Sequence, residues 1–207
     1  MNKFGGQLNF SYPPFKVDYQ NDNAVDHLSQ HLVQRLRMKP YSQELVILCI
    51  GTDRSTGDSL GPLVGSKLHS YYSPKLQVYG SLDEPVHAVN LADKIELIQR
   101  KHHHPFIVAI DACLGQFSNV GSINVADGPV KPGAGVKKEL PPVGDFHVTG
   151  IVNVGGFMEY FVLQNTRLHV VFSMAEVIAN GIFKASNQYF SPSSYRTSWG
   201  YISTEKT

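Results

Sequence analysis

The sequence predicts an α/β protein, a three-layer α/β/α sandwich built on a mainly parallel sheet. Short apolar, β-branched runs recur at Leu45–Ile50 and Phe106–Ile110. Bounded by polar residues, they read as strands buried on both faces. Segments with apolar residues at helical spacing lie between the runs, which implies right-handed crossovers and helices on both faces of the sheet. A carboxylate follows each run, Asp58 beyond the first and Asp111 directly after the second. That is the carboxyl edge, where open α/β sheets place their ligands.

Taken in order, residues 1–20 mix aromatics with Gly and Pro without a period and read as a peripheral arm. Asn21–Arg37 places Val25, Leu28, Leu32 and Leu36 on one helical face, and Lys39-Pro40 ends it. After the strand Leu45–Ile50, Gly51 to Gly57 is a loop of turn formers. Leu60, Leu63, Val64 and Leu68 then mark a helix with Pro62 in its first turn, where a missing N–H is harmless. Leu76–Ser81 reads as a second short strand, and Asp83-Glu84-Pro85 as a polar loop that could line the same crevice. Leu91, Ile95, Leu97 and Ile98 mark another helix. It closes in His102-His103-His104, whose imidazoles can meet the last carbonyls and the negative dipole end.

Phe106–Ile110 is the third buried strand, and Gly121–Ala126 reads as an edge strand. Asp127 to Gly144 is rich in Gly and Pro, a loop long enough to suggest a mobile rim of a site. Gly155–Leu163 reads as a buried helix, Leu168–Phe172 as a last strand and Ala175–Phe183 as a last helix. The tail from Gln188 reads as an extended segment. The whole chain is expected to be a single domain, with its core at about residues 25–185 and arms at 1–20 and 188–207.

Composition narrows the function classes. The 207 residues carry 18 Lys and Arg against 17 Asp and Glu, a formal net charge of +1. Such a balance offers no electrostatic case for nucleic acid or for an anionic membrane surface. The first residues lack the apolar core of a signal peptide, and no apolar run approaches the length of a membrane span. Two cysteines, Cys49 and Cys113, read as lone buried thiols rather than a disulfide framework. The expectation is a soluble cytosolic protein.

Asp58, Asp111 and His147 form the candidate site. Carboxylates at the ends of two neighbouring strands can face each other, and His147, in the Gly-rich stretch Gly144–Gly150, can close the set. These groups suit acid/base chemistry, one carboxyl activating water while the other protonates a leaving group. They equally suit a divalent metal held by two oxygens and one imidazole nitrogen. A simpler reading is open as well: Asp58 lies where a helix N-cap would fall, and Asp111 could organise its loop. Gly51, Gly57 and Gly61 lack the spacing of a phosphate-binding loop and fit tight turning and close helix packing.

The segment GTDRSTGDSLGP, with the strand before it, resembles the glycine-rich loop of the germination proteases, which degrade small acid-soluble proteins of bacterial spores. VAIDACLG resembles that family's second acidic strand end, and INVADGPVKPGAGVKKEL its downstream loop. The resemblance implies a catalytic pair at Asp58 and Asp111. The fold it implies is shared by hydrogenase-maturation endopeptidases, whose metal-recognising acid, Asp and His match Asp58, Asp111 and His147. Over roughly residues 25–185 the chain also resembles the YyaC family of short sporulation proteins. Two features depart from the protease pattern: Cys49 and Thr52 stand where that loop carries Gly and Asn. The function implied is a peptidase-like hydrolase with a paired-Asp site, with a divalent metal as a possible cofactor. It would act on small acid-soluble spore proteins in the forespore or spore core. A non-catalytic protein binding a peptide or partner through the same crevice is the alternative, and an oligomer is compatible with either.

Overall fold

The computed structural model describes residues 12–40, 42–71, 73–133 and 140–191. Leu45–Cys49 (β2) is buried at every residue, as a strand covered on both faces must be. It pairs in parallel with Gln77–Tyr79 (β3) on one side and Phe106–Gly115 (β4) on the other. Beyond β4 lies Phe146–Val154 (β6), again parallel. Ser122–Asp127 (β5) runs antiparallel to β6, and Phe15–Asp18 (β1) antiparallel to β5. The strand order is therefore β1-β5-β6-β4-β2-β3.

Strand alternation sends the two faces of this sheet into separate cores. Ile47, Val108, Ile110, Phe146 and Val148 face three helices, Ala24–Leu36 (α1), Leu60–Ser70 (α2) and Leu168–Tyr189 (α5). Val46, Leu48, Ile107 and Ala109 face the single helix Leu91–Lys101 (α3), whose Leu91 and Ile98 are fully buried. Each such Leu or Ile contributes about 1.5–3 kcal/mol by leaving water. Among the described residues α5 alone has the length and apolar composition to cross a membrane. Its buried stripe, from Val171 through Met174, Ile178 and Ile182 to Ala185, packs instead into the core with α1 and α2.

Several expectations are corrected. Part of the N-terminal arm is strand β1, which makes β5 an interior strand rather than an edge. Arg35, fully buried, fixes this corner: its Nε lies 2.8 Å from Asp127 Oδ1, and its Nη2 donates to Pro13 O at 3.1 Å. The segment holding His147 is not a loop but β6, with Phe146, Val148, Gly150 and Val152 facing the helical core in strict alternation. Leu168–Phe172 is not a strand; it is the first turn and a half of α5, because its inward residues continue at helical spacing. The segment 155–163 forms only the short helix Glu159–Gln164 (α4), and it is largely exposed.

The described parts of the Gly/Pro-rich segment, 127–133 and 140–144, are anchored to the sheet. Val130 and Val143 bond to each other through both N–H groups, at 2.9 and 3.1 Å, and both are buried under the sheet. Residues 134–139 lie outside the described set, as do 192–207 of the tail. His102 does not cap α3 through carbonyls. It is buried, with Nδ1 2.7 Å from Glu44 Oε2 and Nε2 2.7 Å from Tyr79 Oη, so it locks the end of α3 to the sheet.

Candidate active site

The loop after β2 closes on itself at Gly51. Its φ of +143° belongs to glycine, and a Cβ there would sit 2.0 Å from the carbonyl oxygen of Asp58. Thr52 N–H donates to that carbonyl at 3.1 Å. A 3₁₀ turn, Gly57–Ser59, then delivers Asp58 and leads into α2. At Gly61 a Cβ would meet Ile50 O at 2.1 Å, so the helix lies directly on the end of the strand. The two glycines therefore fix where Asp58 stands. Its side chain caps no helix: α2 has no side-chain cap bond at its N-terminus.

Asp111 reaches the same place from inside a strand. Ile110 pairs with Cys49, the last residue of β2, and β4 continues for five more residues held by β6 alone. The carboxyl of Asp111 thus emerges where β2 has stopped. Asp58 and Asp111 line one crevice of about 270 Å³, walled by Ile50, Leu140, Tyr160 and Leu163. Asp111 is only 7% exposed. Burial holds its carboxyl well above the usual carboxylate range, and the charge of Asp58 pushes it further; the Ala112 N–H, 2.9 Å from Oδ1, pulls back. Burial also raises Asp58, opposed by the Thr52 N–H and by His87. Two carboxyls so coupled share protons as a pair, with Asp111 the later to ionise.

His147 is placed elsewhere. It pairs with Ala109, two residues before the Asp111–Thr149 pair, so it lies about 7 Å further back along the strand. Its Nδ1 donates to Gly128 O at 2.9 Å, and it does not line the crevice. The structure thus brings together two of the three expected groups. Among the described residues no three His, Cys, Asp or Glu side chains converge closely enough to hold a metal ion. A metal bound by Asp58, Asp111 and His147 does not fit the side chains as placed.

Other polar residues do line the crevice. His87 is one. Gly51 N–H donates to Val86 O at 2.8 Å, and Asn90 Oδ1 accepts the His87 N–H at 2.8 Å, so the loop after β3 is strapped across the end of β2. Ser55 and Arg54 also line it. Asp83 and Glu84, expected at this edge, are engaged elsewhere, with Ser81 Oγ and Lys94 Nζ at 2.7 and 2.6 Å.

This arrangement, acids at the carboxyl edge of a largely parallel sheet with helices on both faces, has the architecture of a three-layer α/β/α fold. A solved [NiFe] hydrogenase maturation protease, HycI from Thermococcus kodakarensis KOD1, is similar to it with a TM-score of 0.51 over 76% of this chain and 99% of that one. At 20% identity the likeness is one of fold. Residues 16–181 match the family described as "Protein of unknown function (DUF1256)", and the chain belongs to that family. It is 52% identical over 182 residues to the "Uncharacterized protein YyaC" of Bacillus subtilis (strain 168), covering 88% of this chain and 89% of that protein.

Proposed function

We propose that this protein is a peptide-bond hydrolase in which Asp58 and Asp111 act as a coupled acid–base pair. The single observation that carries the reading is that two carboxyls from separate elements share one crevice, with Asp111 raised by burial and by Asp58. In the singly protonated pair Asp58 is the ionised member and Asp111, raised further, holds the shared proton. Asp58 removes a proton from water as its oxygen bonds to the scissile carbonyl carbon. Asp111 gives its proton to the amide nitrogen as the C–N bond breaks, and the proton on Asp58 passes back to Asp111. The products are a carboxylic acid and an amine, and the pair returns to its starting state.

The resemblance to germination proteases supports small acid-soluble spore proteins as substrates. It also supports a place of action in sporulation or germination, in the cytoplasm of the forespore or spore core. Incubation with such proteins, with and without divalent metal, should yield discrete fragments, and Asp58→Asn and Asp111→Asn should yield none. The absence of fragments from wild-type protein under every condition would remove the peptidase reading for this substrate.

A second reading is a non-catalytic protein that binds a partner through the same crevice. Phe157, Tyr160 and Phe161 favour it: they stand exposed on and beside α4, and Tyr160 reaches the crevice wall.

A further inference from the structure

Hydrolysis of an amide places developing negative charge on the carbonyl oxygen, and neither Asp58 nor Asp111 can hold that charge while moving protons. Donors are needed, and two side chains in the crevice meet the requirement. Ser55 is 9% exposed, its Oγ is buried, and it has no hydrogen-bond partner within the protein. Among the described residues the only other buried side-chain atom in that condition is a guanidinium nitrogen of Arg35. A hydroxyl buried without a partner bears the cost of its lost hydration. Ser55 lines the crevice that holds both acids, so a rotation about χ1 turns the hydroxyl out of the wall toward a ligand atom.

His87 is the second donor. Its Nδ1 accepts the Val89 N–H at 3.3 Å, so in the neutral ring the proton resides on Nε2. Asn90 holds the backbone of this loop by two contacts, accepting from His87 N–H and donating to Pro85 O at 3.1 Å. The ring is therefore carried on a fixed loop, and its free edge is a donor.

We propose that Ser55 and His87 are substrate-contacting residues whose Oγ–H and Nε2–H together hold the carbonyl oxygen of a peptide amide in the crevice. The proposal rests on the hydrolase reading for its catalytic consequence, while a binding measurement can decide it apart from that reading. Ser55 lies within the segment that carries the resemblance to proteases, but the resemblance assigns no role to it or to His87.

Three variants, Ser55→Ala, His87→Ala and His87→Gln, test it on the full chain. With acid-soluble spore protein as substrate, Ser55→Ala and His87→Ala should each lower kcat by about 10²–10³-fold. His87→Gln, which keeps an N–H donor, should recover part of the loss. The melting temperature of Ser55→Ala should equal or exceed that of wild type, because the variant removes an unpartnered hydroxyl. A lowered melting temperature with unchanged turnover would make Ser55 structural and overturn the proposal. Should wild type cleave nothing, the peptidase reading fails separately, and the donors are decided by NMR titration with uncharged N-acetylalanine N-methylamide. Shifts should then centre on the Gly51–Asp58 and His87–Val89 segments, and both Ala variants should weaken binding roughly two- to tenfold. Absence of binding to wild type, or wild-type affinity in both Ala variants, overturns the proposal.

Discussion

Asp111 stands in β4 one residue beyond Ile110, the partner of the last residue of β2, and so its buried carboxyl meets the crevice that holds Asp58. The charge of one raises the other. Strand β4 outruns its neighbour because β6 alone continues to pair with it, and that difference in strand length creates the site.

Replacing either acid by Asn removes a charge while keeping size and an acceptor oxygen. Asp111→Asn can still accept the Ala112 N–H. The expected result near neutral pH is equal or greater stability, with hydrolysis lost. Each unit by which burial raises a folded carboxyl corresponds to about 1.4 kcal/mol that the Asn variant avoids. Denaturant unfolding of both variants checks this; clear destabilisation of both would make the acids scaffold.

The same shifts set the sign of a pH dependence. Asp58 and Asp111 are raised in the folded state, so between their unfolded value near 3.8 and their folded values the native protein binds more protons than the unfolded chain. Stability contributed by this pair must therefore fall as pH rises through that window and level off above it. The advantage of Asp111→Asn over wild type should be small near pH 4 and large near pH 7. Unfolding curves at the two pH values measure it.

Gly51→Ala should be costly without touching any acid. The new Cβ would lie 2.0 Å from Asp58 O, on a residue whose φ of +143° side chains avoid. Destabilisation of more than about 2 kcal/mol is expected, together with loss of activity as Asp58 is displaced. A urea titration of the variant gives the first quantity.

A zinc titration tests the role of His147. A ligand at a hundred times its Kd adds about 2.7 kcal/mol. Because His147 lies outside the crevice and is bonded to Gly128 O, wild type and His147→Ala should show the same thermal shift with zinc. A shift present in wild type and lost in His147→Ala would bring the imidazole to the acids.

What the sequence made legible follows from how locally each feature is encoded. Leu45–Cys49, Asp58 and the helix behind Gly61 sit within one stretch whose runs and glycines speak for themselves, and Asp111 follows an equally plain strand. Strand β6 was hidden because Gly144 and Gly150 imitate loop punctuation, although Phe146, Val148 and Val152 alternate cleanly. The β-branched start of α5, Val170 and Val171, favoured a strand until Met174, Ile178 and Ile182 extended a helical stripe. Strand β1 has four residues and one buried side chain, too little for any periodicity. His87 carries no spacing signature; its only sequence signal is position, two residues after the polar loop that follows β3.

Hydrogen exchange separates the integrated part of the Gly/Pro-rich segment from a rim. The amides of Val130 and Val143 should exchange slowly, like those of β2 and β4, since each donates to the other's carbonyl and both are buried. Rapid exchange at both would detach this segment from the core under the sheet.

Carboxyl-detected NMR of the Asp side chains across a pH titration tests the coupled pair most directly. The account predicts two linked steps, with Asp111 losing its proton well above 3.8 and its midpoint moving down in Asp58→Asn. Independent titration of both carboxyls near 3.9, unaffected by the substitution, would contradict it.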